Sequence, residues 1–251
     1  MAFDPEAVQQ LEEHRRVWEK KPVLRRIYRE EFFARLVSHR REPGVSVEIG
    51  GGPGFFKKFF PEVVSTDLVW RPWLDLAADA QVLPFRSESV ANLMGLDILH
   101  HLASPTAFLK EVERVLVIGG RLILIETWVT PFSYLVYRYF HQEDCDLKAR
   151  PLEKSPFGEE NHKKAFEGNQ AIPYLLFGPK TVGKTLAVLP RLKVLTIEPF
   201  SLFAYLLSFG FKPVSLLPEA LYPAVSALEK ATLPLWRRLA SLRALIVLEK
   251  K

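Results

Sequence analysis

One cysteine, Cys145, stands among 251 residues. That excludes an internal disulfide and a cysteine-rich zinc cluster, and it points to a reducing compartment, the cytoplasm. Long apolar runs are missing too. The longest uncharged stretch, Pro199 to Phe211, falls short of the roughly 20 residues that cross a bilayer. The opening residues MAFDPEAVQQLEEHRR carry acids and no apolar core, so they do not read as a secretory signal. There is no dense basic stripe. The formal charge is +5, spread as +2 over residues 1–43, −3 over 44–126, +2 over 127–200 and +4 over 201–251. This is too weak to argue for a nucleic-acid partner, and none is expected. Glycine and proline are few enough to rule out collagen-like or low-complexity chain, and 48% apolar residues can fill the core of one large domain.

What is present is an alternation of strand and helix. The first 43 residues predict two helices, with Asp4 as a cap before Pro5 and an apolar row Leu24, Ile27, Tyr28, Phe32 and Leu36 on the second. Residues 45–49 (VSVEI) predict a buried strand, 50–54 (GGGPG) a turn and 55–60 (FFKKFF) a short helix. Further strands are expected at 63–68, at 74–80, within 89–99 and at 121–126, the last after a break at Ile118-Gly119-Gly120. Between them PTAFLKEVERVL (105–116) carries one apolar face. Such repeats predict a parallel sheet covered by helices on both faces. Residues 127–198 lose this rhythm and read as an inserted cap. A helix at 201–211, a strand at 212–217, a helix around 220–240 and a closing strand at 241–250 complete the pattern.

Chemistry concentrates at strand ends. The turn Gly50-Gly51-Gly52-Pro53-Gly54 follows the first strand, and backbone without Cβ atoms can approach a ligand closely. Its G-x-G-x-G spacing lacks the two-residue gap of the nicotinamide fingerprint. Asp67 ends the second strand, where a carboxylate can accept from ribose hydroxyls. Asp79-Ala80 ends the third, and LDILHHL (96–102) lies at the mouth of the fourth.

Together EIGGGPG, STDL, DAQVLPF, LDILHHL, the helix to Leu116, Gly119-Gly120 and RLILIE resemble the class I S-adenosylmethionine-dependent methyltransferases, of the "methyltransferase domain 11" type. The resemblance spans about residues 45–126 and returns weakly at 200–217. It implies a Rossmann-like α/β fold. The seven-stranded sheet would be mostly parallel with its last strand antiparallel, and SFGFKPVSLL and LRALIVLEK would supply the last two strands. Four segments follow: an N-terminal helical lid (1–43), the cofactor-binding half of the core (44–126), an inserted substrate cap (127–198) and the rest of the core (199–251). The cofactor implied is S-adenosyl-L-methionine, held as follows. Gly50, Gly51, Gly52 and Gly54 form the turn under the methionine part, and Glu48 orients that turn and the amino group. Asp67 takes the ribose diol and Leu68 packs on the adenine. Asp79 and Ala80 meet the adenine edge, and Asp97 faces the methionine. Pro53 stands where the family has a hydroxyl or thiol residue, and the helix expected after the second strand is nearly absent, replaced by Trp70-Arg71-Pro72-Trp73, of which either tryptophan could wall the adenine pocket or pack on the sheet edge.

Candidate bases are His100, His101 and His141, since a neutral imidazole takes a proton near pH 7. Each is weighed against a role in capping or packing, and Asn161-His162 is a weaker polar pair. No histidine has metal-ligand spacing, and Cys145, flanked by Asp144 and Asp146, is not a nucleophile. The implied reaction is methyl transfer to an oxygen, nitrogen or carbon of a small-molecule or lipid-like acceptor, apolar or ring-bearing given the aromatics of 128–140. The other class is a non-catalytic binding subunit on the same fold. Trp236-Arg237-Arg238 beside an apolar helix suits weak contact with a membrane surface as well as a core helix with a solvated edge.

Overall fold

The computed structural model describes residues 5–153 and 167–251. Seven strands form one sheet in the order β3-β2-β1-β4-β5-β7-β6. They are β1 (Ser46–Ile49), β2 (Val64–Asp67), β3 (Leu76–Ala77), β4 (Val90–Leu96), β5 (Leu116–Thr127), β6 (Leu192–Phe200) and β7 (Arg243–Lys250). β1 to β5 pair parallel with their neighbours. β7 runs antiparallel to both β5 and β6. This is the expected Rossmann-like α/β sheet. Its order reverses between β1 and β4, the point where open sheets hold ligands beyond their strand ends.

Side chains alternate strictly between the two faces. Leu93, Leu122, Leu124, Ile246 and Leu248 enter one core with α5 (Pro105–Val115) and α7 (Ile172–Phe177). Met94, Ile123, Ile125, Leu245 and Val247 enter the other with the N-terminal helices and α4 (Phe55–Phe59). α5 forms because Ser104 caps it by accepting from the Ala107 N–H, Pro105 presets its first turn, and Phe108, Leu109, Val112 and Val115 share a buried stripe. α1 (Pro5–Lys20) buries only Ala7, Leu11 and Val17; its proposed cap, Asp4, lies outside the described residues. α2 (Pro22–Ile27) runs through a wide π-helical segment, Tyr28–Phe33, into α3 (Ala34–Ser38). The extra residue in that segment turns both Phe32 and Phe33 inward.

Two expectations are corrected. The sixth strand is 192–200, within and beyond the end of the segment taken as an insertion, and 212–217 is irregular. The carbonyls there have another partner. The buried Lys21 ammonium donates to the backbone oxygens of Ser208, Gly210 (2.7 Å), Lys212 (2.9 Å) and Val214 (2.9 Å), so the segment wraps a cation instead of joining a ladder. The Gly119-Gly120 break is also part of a strand. β5 starts at Leu116 and passes an irregularity in its pairing with β4, where Gly119 has φ +73°. The remaining helices are α6 (Pro131–Phe140), α8 (Val182–Val188), α9 (Phe203–Ser208) and α10 (Tyr222–Ala240). None of the described helices is long and apolar enough to cross a membrane.

Candidate cofactor and acceptor site

The glycine turn leaves β1 with Gly50, Gly52 and Gly54 at φ +68°, +42° and +77°, a region that side chains with a Cβ rarely enter. The turn is fastened to β2. The Gly51 N–H donates to the Thr66 carbonyl (2.9 Å), and the Gly52 N–H donates to Asp67 Oδ2 (2.9 Å). The other Asp67 oxygen accepts from the Val69 N–H at 2.9 Å. Burial nonetheless holds this carboxyl above its ordinary range, with the backbone donors pulling it back. Leu68, next along, is half exposed.

Glu48 points to the buried side of the turn. It accepts from the Ser65 hydroxyl, and burial pushes it up to about 7. A Cβ on Gly51 would lie 3.0 Å from its carboxylate and 2.3 Å from Ser65 Oγ, so this glycine is required by the strand beside it. The outer side of the turn carries Trp73, one of the two tryptophans weighed for the pocket wall, with Arg15 and Leu11, which sequence reasoning did not assign. Trp73 Nε1 donates to the Gly52 carbonyl (2.8 Å), and a Cβ on Gly54 would fall 2.5 Å from its ring. Arg15 of α1 donates to the Pro53 carbonyl (2.7 Å) while its guanidinium lies 4.0 Å from the Trp73 ring centre. Leu11 approaches Gly52. Trp70, the other tryptophan of this stretch, is exposed.

Asp79 lies half-buried beyond β3, its Oδ1 accepting from the Gln81 backbone N–H (2.8 Å) and side-chain amide (3.1 Å); Ala80 beside it is buried. At the end of β4 Asp97 has φ +55° and pairs with the buried Arg243 of β7, which also donates to the Tyr205 hydroxyl at 3.1 Å. Ile98 fills the space above Gly50.

The histidines separate. His100 is 2% exposed, with Nδ1 2.8 Å from Glu126 Oε2 and Nε2 3.5 Å from Glu143. Glu126 lies one residue before the end of β5, is fully buried, and accepts the backbone N–H groups of Ile98 (2.9 Å) and Leu99 (2.7 Å). Burial raises its carboxyl well above the usual range. His101 is partly exposed and faces the other Glu143 oxygen at 3.9 Å. His141 is exposed at the end of α6, where its Nδ1 accepts from the Glu143 N–H (3.2 Å). So His100 and His101 meet at the Glu143 carboxylate, while His141, two residues away along the chain, meets only the Glu143 backbone N–H. Asn161 and His162 lie outside the described residues. Glu126 was hidden as the last letter of an apolar run, although a charge closing a buried strand is itself a signal. Cys145 is buried, and burial with Asp146 pushes its thiol up to about 11, which agrees with no nucleophilic role.

Residues 47–124 match the family model of the methyltransferase domain. That segment is similar to the methyltransferase domain family. S-adenosylmethionine is the methyl donor that goes with such a domain. The relatives include an uncharacterised methyltransferase of Mycobacterium tuberculosis, 27% identical over 117 residues, which are 39% of this chain and 46% of that protein. The chain thus spans less than half the length of the curated relatives it matches. Solved structures share the fold over nearly the whole chain. A SAM-dependent methyltransferase from Thermotoga maritima has a TM-score of 0.53 at 19% identity, covering 93% of this chain and 95% of its own. One from Archaeoglobus fulgidus has 0.51 at 16%, covering 89% and 94%. At these identities the likeness is one of fold. The cyclase SpnF, at 0.50 and 12% over 87% of this chain and 80% of its own, shares that fold under another activity.

Proposed function

We propose that the chain transfers a methyl group from S-adenosylmethionine to a small apolar or ring-bearing acceptor, a lipid-like molecule included. The observation that carries this is the coupling of the glycine turn to Asp67 through the Gly52 N–H, with Asp79 at the end of the neighbouring strand. The residues fit the cofactor. Each Asp67 oxygen accepts one backbone N–H, and a carboxylate oxygen has a second lone pair for a ribose hydroxyl. Asp79 Oδ2 is the acceptor for the adenine amine, with the Ala80 N–H and the exposed Leu68 beside the ring. Gly50, Gly51, Gly52 and Gly54 would take the methionine part, with Glu48 and Asp97 fixing the backbone on either side.

When bound, the cofactor supplies a sulfonium methyl open to displacement by a nucleophile. Such displacement disperses charge, so the protein's work is alignment and exclusion of water. Arg15, Trp73 and Leu11 close the outer side of the turn. Trp128, Tyr134 and Tyr137, the aromatics of this segment that pack inward, would roof the acceptor side as the cap. If the acceptor must lose a proton, His100 is the base. Among the three histidines it is the one with an orienting carboxylate at hydrogen-bond distance, Glu126 at Nδ1, while its Nε2 faces Glu143 at 3.5 Å. His101 and His141 are the weaker candidates.

A structure with S-adenosylhomocysteine tests this reading. It should hold the ribose against Asp67 and the adenine between Leu68 and Asp79. A nucleoside bound elsewhere would overturn it. The alternative, a binding subunit of the same fold, predicts the same complex with no turnover for any acceptor.

A further inference from the structure

Two helices outside the cofactor half present apolar side chains to solvent. α10 spends only Tyr222 and Ser226 as fully buried contacts. Its outward face holds Leu228, Leu235 and Leu239, the middle one 80% exposed, with Ala224, Ala227 and Ala231 exposed between them. α6 packs against α10, and its Thr130 cap donates to the Ser241 carbonyl (3.1 Å) just beyond the end of α10. α6 turns out Phe132, Leu135, Tyr139 and Phe140, the last 77% exposed. These recur at i, i+3, i+7 and i+8, one face of a helix. Side chains of this size at this exposure, on two adjoining helices, form more than the scattered surface leucine of a monomer.

The charges on these helices have one sign. α6 and α10 hold Arg138, Lys230, Arg237 and Arg238 and a single acid, Glu229. Glu229 faces inward, where it accepts the N–H groups of Leu202 (3.0 Å) and Ala204 (2.9 Å) at the start of α9. Lys230 and Arg237 pair with Glu31 and Glu198 of other elements. Arg138 and Arg238 are exposed and pair with no acid among the described residues. Glu219 lies before α10, beside Arg26 at the opposite end from Arg238. A second copy of the chain would set cationic face against cationic face. An anionic bilayer matches both features: the leucines and aromatics enter the acyl boundary, and the arginines meet the headgroups.

We propose that the α6–α10 face docks on a membrane surface containing anionic lipid, with both helices lying in the interface. The inference rests on these helices alone and holds whether or not the chain transfers a methyl group. The test is co-sedimentation of the full chain with vesicles of phosphatidylcholine alone and with phosphatidylglycerol added. The chain should sediment with the anionic vesicles and at least tenfold less with the neutral ones. Leu235→Glu with Leu239→Glu should weaken binding tenfold or more, because two buried side chains are withdrawn. Arg138→Gln and Arg238→Gln should each weaken it about fivefold and erase the lipid preference together. All four positions are solvent-exposed, so circular dichroism melts should match the parent. No sedimentation with anionic vesicles would overturn the proposal. So would binding that the leucine pair leaves unchanged, or a dimer in solution that the leucine pair disperses while vesicles bind neither form.

Discussion

Glu48→Gln separates the acid's ionisation from its shape. The folded carboxyl is raised from 4.5 to about 7, with burial the leading cause. Between those values the native state holds a proton that the unfolded chain has released. Stability from this group is therefore full below about pH 4.5 and is lost as the pH climbs through 7. The gap of about 2.5 pH units corresponds to about 3 kcal/mol. Glutamine cannot ionise, and its amide oxygen still accepts from Ser65, the hydroxyl that Glu48 holds. Urea unfolding at pH 5 and pH 8.5 of both proteins gives the comparison. The parent should lose about 2.5 kcal/mol more than the variant over that range, since pH 5 already lies above 4.5 and other titrating groups are common to both. Equal pH dependence would show that Glu48 ionises as an ordinary surface acid and would refute the buried environment under the glycine turn.

Further outcomes follow from the same geometry. Gly54→Ala should destabilise by about 1–3 kcal/mol, because φ is +77° and the new methyl meets the Trp73 ring. Gly183→Ala in α8, with nothing within 4 Å, should be neutral or stabilising by about 0.5–1 kcal/mol, and equal melts for the two would sink the strain argument. Arg243→Met strands the Asp97 carboxylate at its left-handed position and should cost about 3–5 kcal/mol by denaturant unfolding; a parent-like midpoint would mean Asp97 finds water. His100→Ala should remove the acidic limb of the pH–rate profile once an acceptor is known. A profile that keeps its shape would leave His100 and Glu126 as a lock on the strand end.

Much of the architecture was written in local pattern. β1 and β2 are short runs with β-branched residues, β4 and β7 are apolar runs, and α5 announces itself by a cap, a proline and one apolar stripe. The turn itself was equally plain, because glycines at 50, 52 and 54 take φ values that residues with a Cβ rarely adopt. The sixth strand escaped because it is an edge. Lys193 and Glu198 interrupt its apolar pattern and pair with Glu249 and with Arg35 and Arg237, so it resembles loop more than core. The false strand at 212–217 looked apolar enough, yet its carbonyls go to Lys21, some 190 residues earlier in the chain. Arg15 and Arg243 were missed for the same reason. Each matters through a partner brought near by the fold, and nothing in its own neighbourhood of sequence marks it.

Titration calorimetry of S-adenosylmethionine into the parent and into Asp67→Ala addresses the cofactor assignment itself. Charge-assisted hydrogen bonds to two ribose hydroxyls contribute about 1.5–3 kcal/mol each. The variant should bind at least tenfold more weakly while a melt shows it folded. Parent-like affinity in a folded Asp67→Ala protein, or a parent that releases no heat with the donor, would contradict the account.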